Sequence, residues 1–179
     1  MPNWCFNSAE ISHADPAKLD ELIAVAEAGT MFAHFLPVPA EIIEPTEPNL
    51  LAMGITTMGN AEYDWRVNNW GTKWDIGDPT YISRESPTEL ILNFDTAWSP
   101  PLGVFEAMKE AGYIIRSEYT EEGMAFAGLW NDGEDECYDI NDLPEHLEHL
   151  KPTDFDEPSD EEIIIEASNQ AHEAEANRQ

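Results

Sequence analysis

The residues best suited to binding lie in a tryptophan-rich segment at positions 63–75, which also carries Arg66 and Lys73. These are two of only eight basic side chains in the chain. Tryptophan and arginine are frequent anchors of protein interfaces, and two interpretations stay open. In one, the tryptophans are core residues and Arg66 forms a buried ion pair with Asp95. In the other, a groove for a partner or a small anion is lined by Arg66, Trp70, Lys73, Trp74, Asp95 and Trp98.

Carboxylates form the second candidate surface, since 37 acidic residues give the chain a formal net charge of −29. This charge repels phosphates, which excludes direct nucleic-acid binding and disfavours an anionic membrane. Half of it lies in residues 131–179, which hold 17 acidic and two basic side chains. We therefore expect a partner protein with a basic surface, bound mainly by Asp132, Glu134, Asp135, Glu136, Asp139, Asp154, Asp156 and Glu157.

A metal centre and a catalytic site are weakly indicated. His146 and His149 are spaced to share one helix face, and Cys137 lies upstream among carboxylates. Structural zinc usually requires four ligands, often in a C-x-x-C arrangement that is absent from the sequence. No nucleophile elbow or H-E-x-x-H pattern is present either. We predict a protein that is not an enzyme and that uses no cofactor or metal.

The cysteine content and the hydropathy pattern predict a cytoplasmic protein of a bacterial host cell. Cys5 and Cys137 are the two cysteines, fewer than a secreted disulfide scaffold would carry. The first residues show no charged and apolar leader pattern. No apolar run approaches the ~20 residues that cross a bilayer.

The order of the predicted elements favours an α+β fold. Strands are predicted at 4–12, 89–96, 113–119 and 124–130, and helices follow Asp15-Pro16 and Pro100-Pro101. Gly29 and Gly112 end the two helices. We expect a ferredoxin-like sandwich over residues 1–130, a mostly antiparallel sheet with two helices on one face, interrupted by a long insert at about 37–62.

Residues 131–179 are predicted to form an acidic extension. It would contain an edge strand within 132–142, a short helix ending near Leu150, a linker at 152–158 and a helix over 160–175. Ser159 and Glu162 form a capping box at the start of that last helix. Three successive isoleucines, Ile163 to Ile165, predict that it docks on the domain or on a second chain.

Four aromatic segments resemble a known family. In order, they are Met1-Pro-Asn-Trp-Cys-Phe-Asn, Asp64-Trp-Arg-Val-Asn-Asn-Trp-Gly-Thr-Lys-Trp-Asp, Phe94-Asp-Thr-Ala-Trp-Ser-Pro-Pro and Gly123-Met-Ala-Phe-Ala-Gly. Together they resemble the YubB-type ferredoxin-like domain family, small phage and conjugative-plasmid proteins with no assigned activity. The resemblance covers roughly residues 1–130 and implies a ferredoxin-like fold and a mobile-element origin. It implies no catalytic residues, and the extension after Asn131 departs from it.

These observations favour an acidic protein of a phage or plasmid that inhibits a host defence or nucleic-acid-handling protein, by nucleic-acid mimicry. The alternative is a small-ligand module that sequesters or cleaves an anionic metabolite or signalling nucleotide in the Trp/Arg/Lys pocket. A third hypothesis is a structural subunit that assembles through Ile163 to Ile165. The oligomeric state does not follow from the sequence.

Overall fold

The computed structural model describes residues 3–43 and 61–152. The strands are β1 (Trp4–Ser12), β2 (Tyr81–Ser86), β3 (Glu89–Ala97), β4 (Ile114–Glu121), β5 (Phe126–Asn131) and β6 (Glu134–Asp139). The α-helices are α1 (Pro16–Glu27), α2 (Met31–Phe35), α3 (Ala40–Ile43), α4 (Ala61–Asn69) and α5 (Leu102–Glu110). Two 3₁₀ helices follow β6, at Ile140–Asp142 and Glu145–Leu150.

The six strands form one sheet in the order β2-β3-β1-β4-β5-β6, and each neighbouring pair is antiparallel. Within it, β2-β3-β1-β4 has the ferredoxin-like order, with α1 following β1 and α5 lying between β3 and β4. The predicted α+β sandwich is therefore confirmed. Strands β5 and β6 extend the sheet on the β4 side.

The main core lies between one face of the sheet and the helices α1 and α5. The α1 N-terminus is as predicted, because the Asp15 side chain accepts a hydrogen bond of 3.0 Å from the Ala17 backbone N–H and Pro16 occupies the first turn. The buried residues of the two helices are Leu19, Leu22, Ala26, Val104, Phe105 and Met108. They pack on alternate strand residues that include Ala9, Ile11, Leu92, Phe94 and Ile115.

Some elements differ from the expectation. Strand β2 and helix α4 were not predicted, and the apolar stretch near Phe32 forms the short helix α2. The predicted insert contains α3, while residues 44–60 lie outside the described part of the chain. None of the helices within residues 3–43 and 61–152 is long and apolar enough to cross a membrane.

The change in charge near Asn131 does not mark the end of the sheet. The predicted edge strand forms as β6, which pairs with β5 from Asn131↔Glu134 to Phe126↔Asp139. Beyond it, the 3₁₀ helices bring Ile140, Leu143 and Leu147 onto Ala127 and Leu129 as a second apolar cluster. The predicted linker beyond position 152, the helix over 160–175 and Ile163 to Ile165 lie outside the described residues.

Candidate functional site

The predicted acidic surface is organised by the β5–β6 hairpin. Asp132 and Gly133 form its two-residue loop and both have positive φ, +46° and +105°. Such a loop corresponds to the tight turn that an Asp-Gly pair favours between antiparallel strands. The turn places β6 at the edge of the sheet, where it pairs on one side with β5. The other side of the strand is available among the described residues.

Four of the six residues of β6 are acidic, and all four are exposed. Side chains alternate along a strand, so Glu134 and Glu136 point to one face of the sheet and Asp135 and Asp139 to the other. Asp132 is exposed beside them in the turn. The structure therefore brings together the five predicted carboxylates Asp132, Glu134, Asp135, Glu136 and Asp139, while Asp154, Asp156 and Glu157 lie outside the described residues.

Three of these carboxylates also have structural contacts. The Tyr119 hydroxyl donates a 2.7 Å hydrogen bond to Asp135, and Tyr138 donates one of 3.2 Å to Glu136. Asp139 accepts a 2.9 Å bond from the Asn141 backbone N–H at the start of the first 3₁₀ helix. Bonds from the Asn141 backbone and side chain lower the pKa of Asp139 below its usual value, so this carboxyl group stays ionised.

The Tyr119 hydroxyl is the most perturbed group near the edge strand. Burial, followed by its hydrogen bond to Asp135 and the charge of that carboxylate, raises the pKa of Tyr119 far above its usual value of 10.0. The hydroxyl group is therefore protonated at neutral pH and acts as a donor. Its contact with Asp135 ties the acidic edge strand to β4, in the interior of the sheet.

The histidines near this surface contact carboxylates. His149 Nε2 lies 2.8 Å from Glu118, and His146 Nε2 lies 3.4 Å from Glu136. Burial alone would raise the pKa of Glu118, but hydrogen bonds from His149 and Arg116 outweigh it and hold that pKa below its usual value. Cys137 is exposed on β6. No group of three or more metal-binding side chains occurs in the part of the chain that the structure describes.

The predicted Trp/Arg/Lys pocket does not form as a unit. Trp70 is 1% exposed, and its indole N–H donates a 2.7 Å hydrogen bond to the Leu36 carbonyl group, so it is a core residue. Arg66 packs over Trp70 and pairs with Glu62, one helical turn earlier in α4. The predicted Arg66–Asp95 ion pair is wrong, because Arg66 pairs with Glu62 while Asp95 lies on the face of β3 opposite α1 and α5.

The remaining predicted residues lie around a different cluster. The Lys73 ammonium group is 3.6 Å from the ring centroid of Trp74 and 4.4 Å from that of Trp98. Trp74 in turn contacts the ring of Trp4, with centroids 6.0 Å apart. The adjacent hollow is lined by carboxyl groups, including Asp75, Asp78 and Asp95. This lining disfavours an anionic ligand.

Sequence reasoning missed Trp4 and Phe6 as surface residues. Both project from the face of β1 opposite α1 and α5 and are 52% and 41% exposed. The alternation of β1 shows that they share one face, but it does not say which face the helices cover. The residue types indicate which face is exposed, because Ser8 and Glu10 lie on the same face as Trp4 and Phe6 and are polar.

The chain is distantly similar to a solved structure. No family model and no curated protein matches this sequence. The crystal structure of protein api92 from Yersinia pseudotuberculosis, described by the family model DUF1281, is similar with a TM-score of 0.44. The two share 11% identity over 80% of this chain and 100% of that one. Similarity at this level carries no statement about function.

Proposed function

We propose that this protein is encoded by a phage or plasmid and that it binds and inhibits a host defence or nucleic-acid-handling protein. Its acidic edge strand would occupy a basic surface that otherwise holds nucleic acid. The aromatic segments that resemble the YubB-type family support the mobile-element origin. The observation that carries the binding proposal is the row of exposed carboxylates on β6.

The row of charges along β6 supports mimicry of a nucleic-acid strand. A β-strand rises about 3.4 Å per residue, and each strand of duplex DNA carries one charge per about 3.4 Å along its axis. Glu134, Asp135, Glu136 and Asp139 lie on this one strand, and Asp132 precedes them in the turn. Side chains alternate between the two faces, so Glu134 and Glu136 lie about 6.8 Å apart on one face, roughly two phosphate intervals, while Asp135 and Asp139 point to the other face.

The hairpin also holds these charges in place before binding. Asp135 is fixed by Tyr119, and Asp139 by the first 3₁₀ helix. The apolar cluster of Ile140, Leu143 and Leu147 packs the following segment onto β5. A preorganised surface loses less conformational freedom on binding, which favours a protein target over diffuse attraction of counterions.

Charged side chains on an edge strand also prevent pairing between sheets, so a test must separate binding from solubility. The triple variant Asp132→Asn, Glu134→Gln and Glu136→Gln removes three charges and leaves Asp135 and Asp139 intact. The matched control changes Glu27, Glu106 and Glu110 to glutamine. These three exposed residues of α1 and α5 form no ion pair within residues 3–43 and 61–152.

Each protein is immobilised and used to capture partners from a bacterial lysate at low salt, and duplex DNA is then added as a competitor. We expect the wild type and the control to retain the same basic, nucleic-acid-binding protein and to release it to DNA. The β6 variant should remain monodisperse and lose that protein. Equal retention by the β6 variant would contradict the proposal.

A further inference from the structure

A second interaction surface lies on the face of the sheet opposite α1 and α5, at the end where β1 begins. Trp4 and Phe6 are exposed there, and Asp95 of β3 is the register partner of Phe6. Directly opposed residues have Cβ atoms about 4.5–5.5 Å apart on the same face, and diagonal neighbours such as Trp4 and Asp95 remain within reach of a long side chain. Large exposed rings clustered beside a carboxyl group indicate an interaction site.

Two hollows meet at this point, and both are lined by Trp4 and Asp95. One, of about 380 Å³, continues toward Asn3, Thr120 and Glu122. The other, of about 350 Å³, continues toward Trp74 and Asp78. Among the described residues that line them, neither hollow has a lysine or arginine. Together they form a concave surface of flat rings and carboxyl groups around one shared pair of residues.

Within the described residues, Asp95 has no partner for its charge. Its side chain takes part in none of the ion pairs or side-chain hydrogen bonds found among the described residues. Burial raises the pKa of this carboxyl group above its usual value of 3.8. A partly buried carboxylate without a donor is costly, and a cationic group placed beside it would relieve that cost.

The neighbouring rings already bind a cation of the chain itself. Lys73 lies over Trp74 and Trp98 at distances suitable for cation–π attraction. The Trp4 ring packs against Trp74 with a tilt of 37° and is still half exposed. None of the cation–π contacts in the described part of the chain uses Trp4 or Phe6.

We propose that the surface formed by Trp4, Phe6, Trp74 and Asp95 binds the guanidinium group of an arginine on a basic polypeptide partner. Arginine fits better than lysine, because its planar group stacks on aromatic rings and presents paired N–H donors to a carboxylate. A nucleobase would also stack on these rings, but the phosphates that accompany it would be repelled by Asp78, Asp95 and Glu122.

The inference rests on the proposed function in taking a basic partner, yet it concerns a separate surface. Three strand spacings separate β1 from β6, roughly 14 Å at about 4.8 Å each. An extended segment of about five residues spans that distance. On this face the 3₁₀ helices pack on β5 between the two surfaces, so a segment that contacts both must pass around them.

The test uses defined probes and needs no identified partner. The full chain is titrated with the peptide acetyl-Gly-Arg-Gly-amide, and the tryptophan indole N–H resonances are followed by NMR. A peptide with neutral citrulline in place of arginine serves as the matched probe. We expect the arginine peptide to shift the Trp4 resonance with a millimolar dissociation constant, and citrulline to bind at least about fivefold more weakly.

Variants assign the effect to the two residues shared by the hollows. Asp95→Asn should weaken arginine binding about five- to tenfold, and Trp4→Ala should abolish it. The control Glu106→Gln removes the same charge from α5, on the opposite face of the sheet, and Ile114→Ala removes an exposed apolar side chain at the far end of the same face. Both controls should bind as the wild type does.

Two results would overturn the inference. One is equal binding of the citrulline peptide, and the other is unchanged affinity in an Asp95→Asn variant whose spectrum is otherwise native. Asp95 forms no side-chain hydrogen bond among the described residues, so this variant is expected to fold. Neither result depends on the β6 carboxylates, and loss of lysate capture by the β6 variant leaves this titration unaffected.

Discussion

The Tyr119 hydroxyl group donates a 2.7 Å hydrogen bond to the carboxylate of Asp135 and so connects β4 with the acidic edge strand β6. Gly128 of β5 lies between them, paired with Tyr119 on one side and with Cys137 on the other. The tyrosine ring crosses over this glycine because no side chain stands in its way. The contact positions one carboxylate of the proposed binding surface from inside the sheet.

Replacing Tyr119 with phenylalanine should destabilise the fold by about 1 kcal/mol, since the ring is kept and one hydrogen bond to a charged but exposed acceptor is lost. The matched control is Tyr138→Phe, whose hydroxyl bonds the exposed Glu136 at 3.2 Å and should change stability by less than about 0.5 kcal/mol. Urea unfolding measures both. Equal losses would show that Tyr119 contributes through packing alone.

A methyl group at Gly128 should destabilise the fold more than the loss of the Tyr119 hydroxyl group does. A Cβ there would collide with the Glu136 carbonyl oxygen and with the Tyr119 hydroxyl and ring, so Gly128→Ala should destabilise by about 2–3 kcal/mol. Gly77 offers the control, because nothing lies within 4 Å of its Cβ position. Thermal unfolding of both variants checks this. A Gly128→Ala protein as stable as Gly77→Ala would contradict the packing described here.

Stability should decline at alkaline pH partly through Cys5. Burial raises the pKa of its thiol from 9.0 to about 12, while the unfolded chain releases the proton near pH 9. The contribution of the thiol to native-state stability is therefore fully present below about pH 9, and it is lost as the pH rises toward 12. Between pH 8 and about pH 10.5, wild type should lose roughly 2 kcal/mol more than Cys5→Ser. Parallel losses would exclude this contribution.

Acid should remove the contribution of Glu118. Its pKa is held below 4.5 by His149 and Arg116, against the opposing effect of burial. Because the native pKa is lower than that of the unfolded chain, the ionised carboxylate stabilises the native state at a pH above the unfolded pKa. This stability is lost as the pH falls through the native pKa. Glu118→Gln should cost about 0.5–1 kcal/mol at neutral pH, and this cost should shrink as acid protonates the Glu118 carboxyl group in the native state. The exposed Glu122→Gln control should show no such pH-dependent difference in urea unfolding.

Local signals predicted the parts of the fold that neighbouring residues determine. Asp15 and Pro16 mark the start of α1, and the alternation of apolar residues in β1 and β3 identifies both strands. Asp132-Gly133 carries an equally local hairpin signal, but this turn was not predicted. The general expectation of an acidic edge strand is correct, and the hairpin explains why those carboxylates are exposed together.

The features that the sequence did not predict depend on contacts between distant parts of the chain. Helix α2 has no side-chain cap from Thr30, and its first N–H groups instead donate to Asp75, at 2.8 Å from Phe32 and 2.9 Å from Ala33. Trp70 and Trp74 are four residues apart, yet one is buried and the other is 43% exposed. Residue type alone could not separate them, because the burial of Trp70 follows from its contacts with Phe32 of α2 and with Trp65 of α4.

The most direct test of the account is the salt dependence of the affinity for the captured partner, measured for wild type and for the β6 triple variant. Interactions between exposed charges weaken as the Debye length falls with added salt. We predict that wild-type affinity falls steeply between about 50 and 500 mM salt, and that the variant binds more weakly with a shallower slope. A flat wild-type response, or identical slopes for both proteins, would contradict binding through the acidic edge strand.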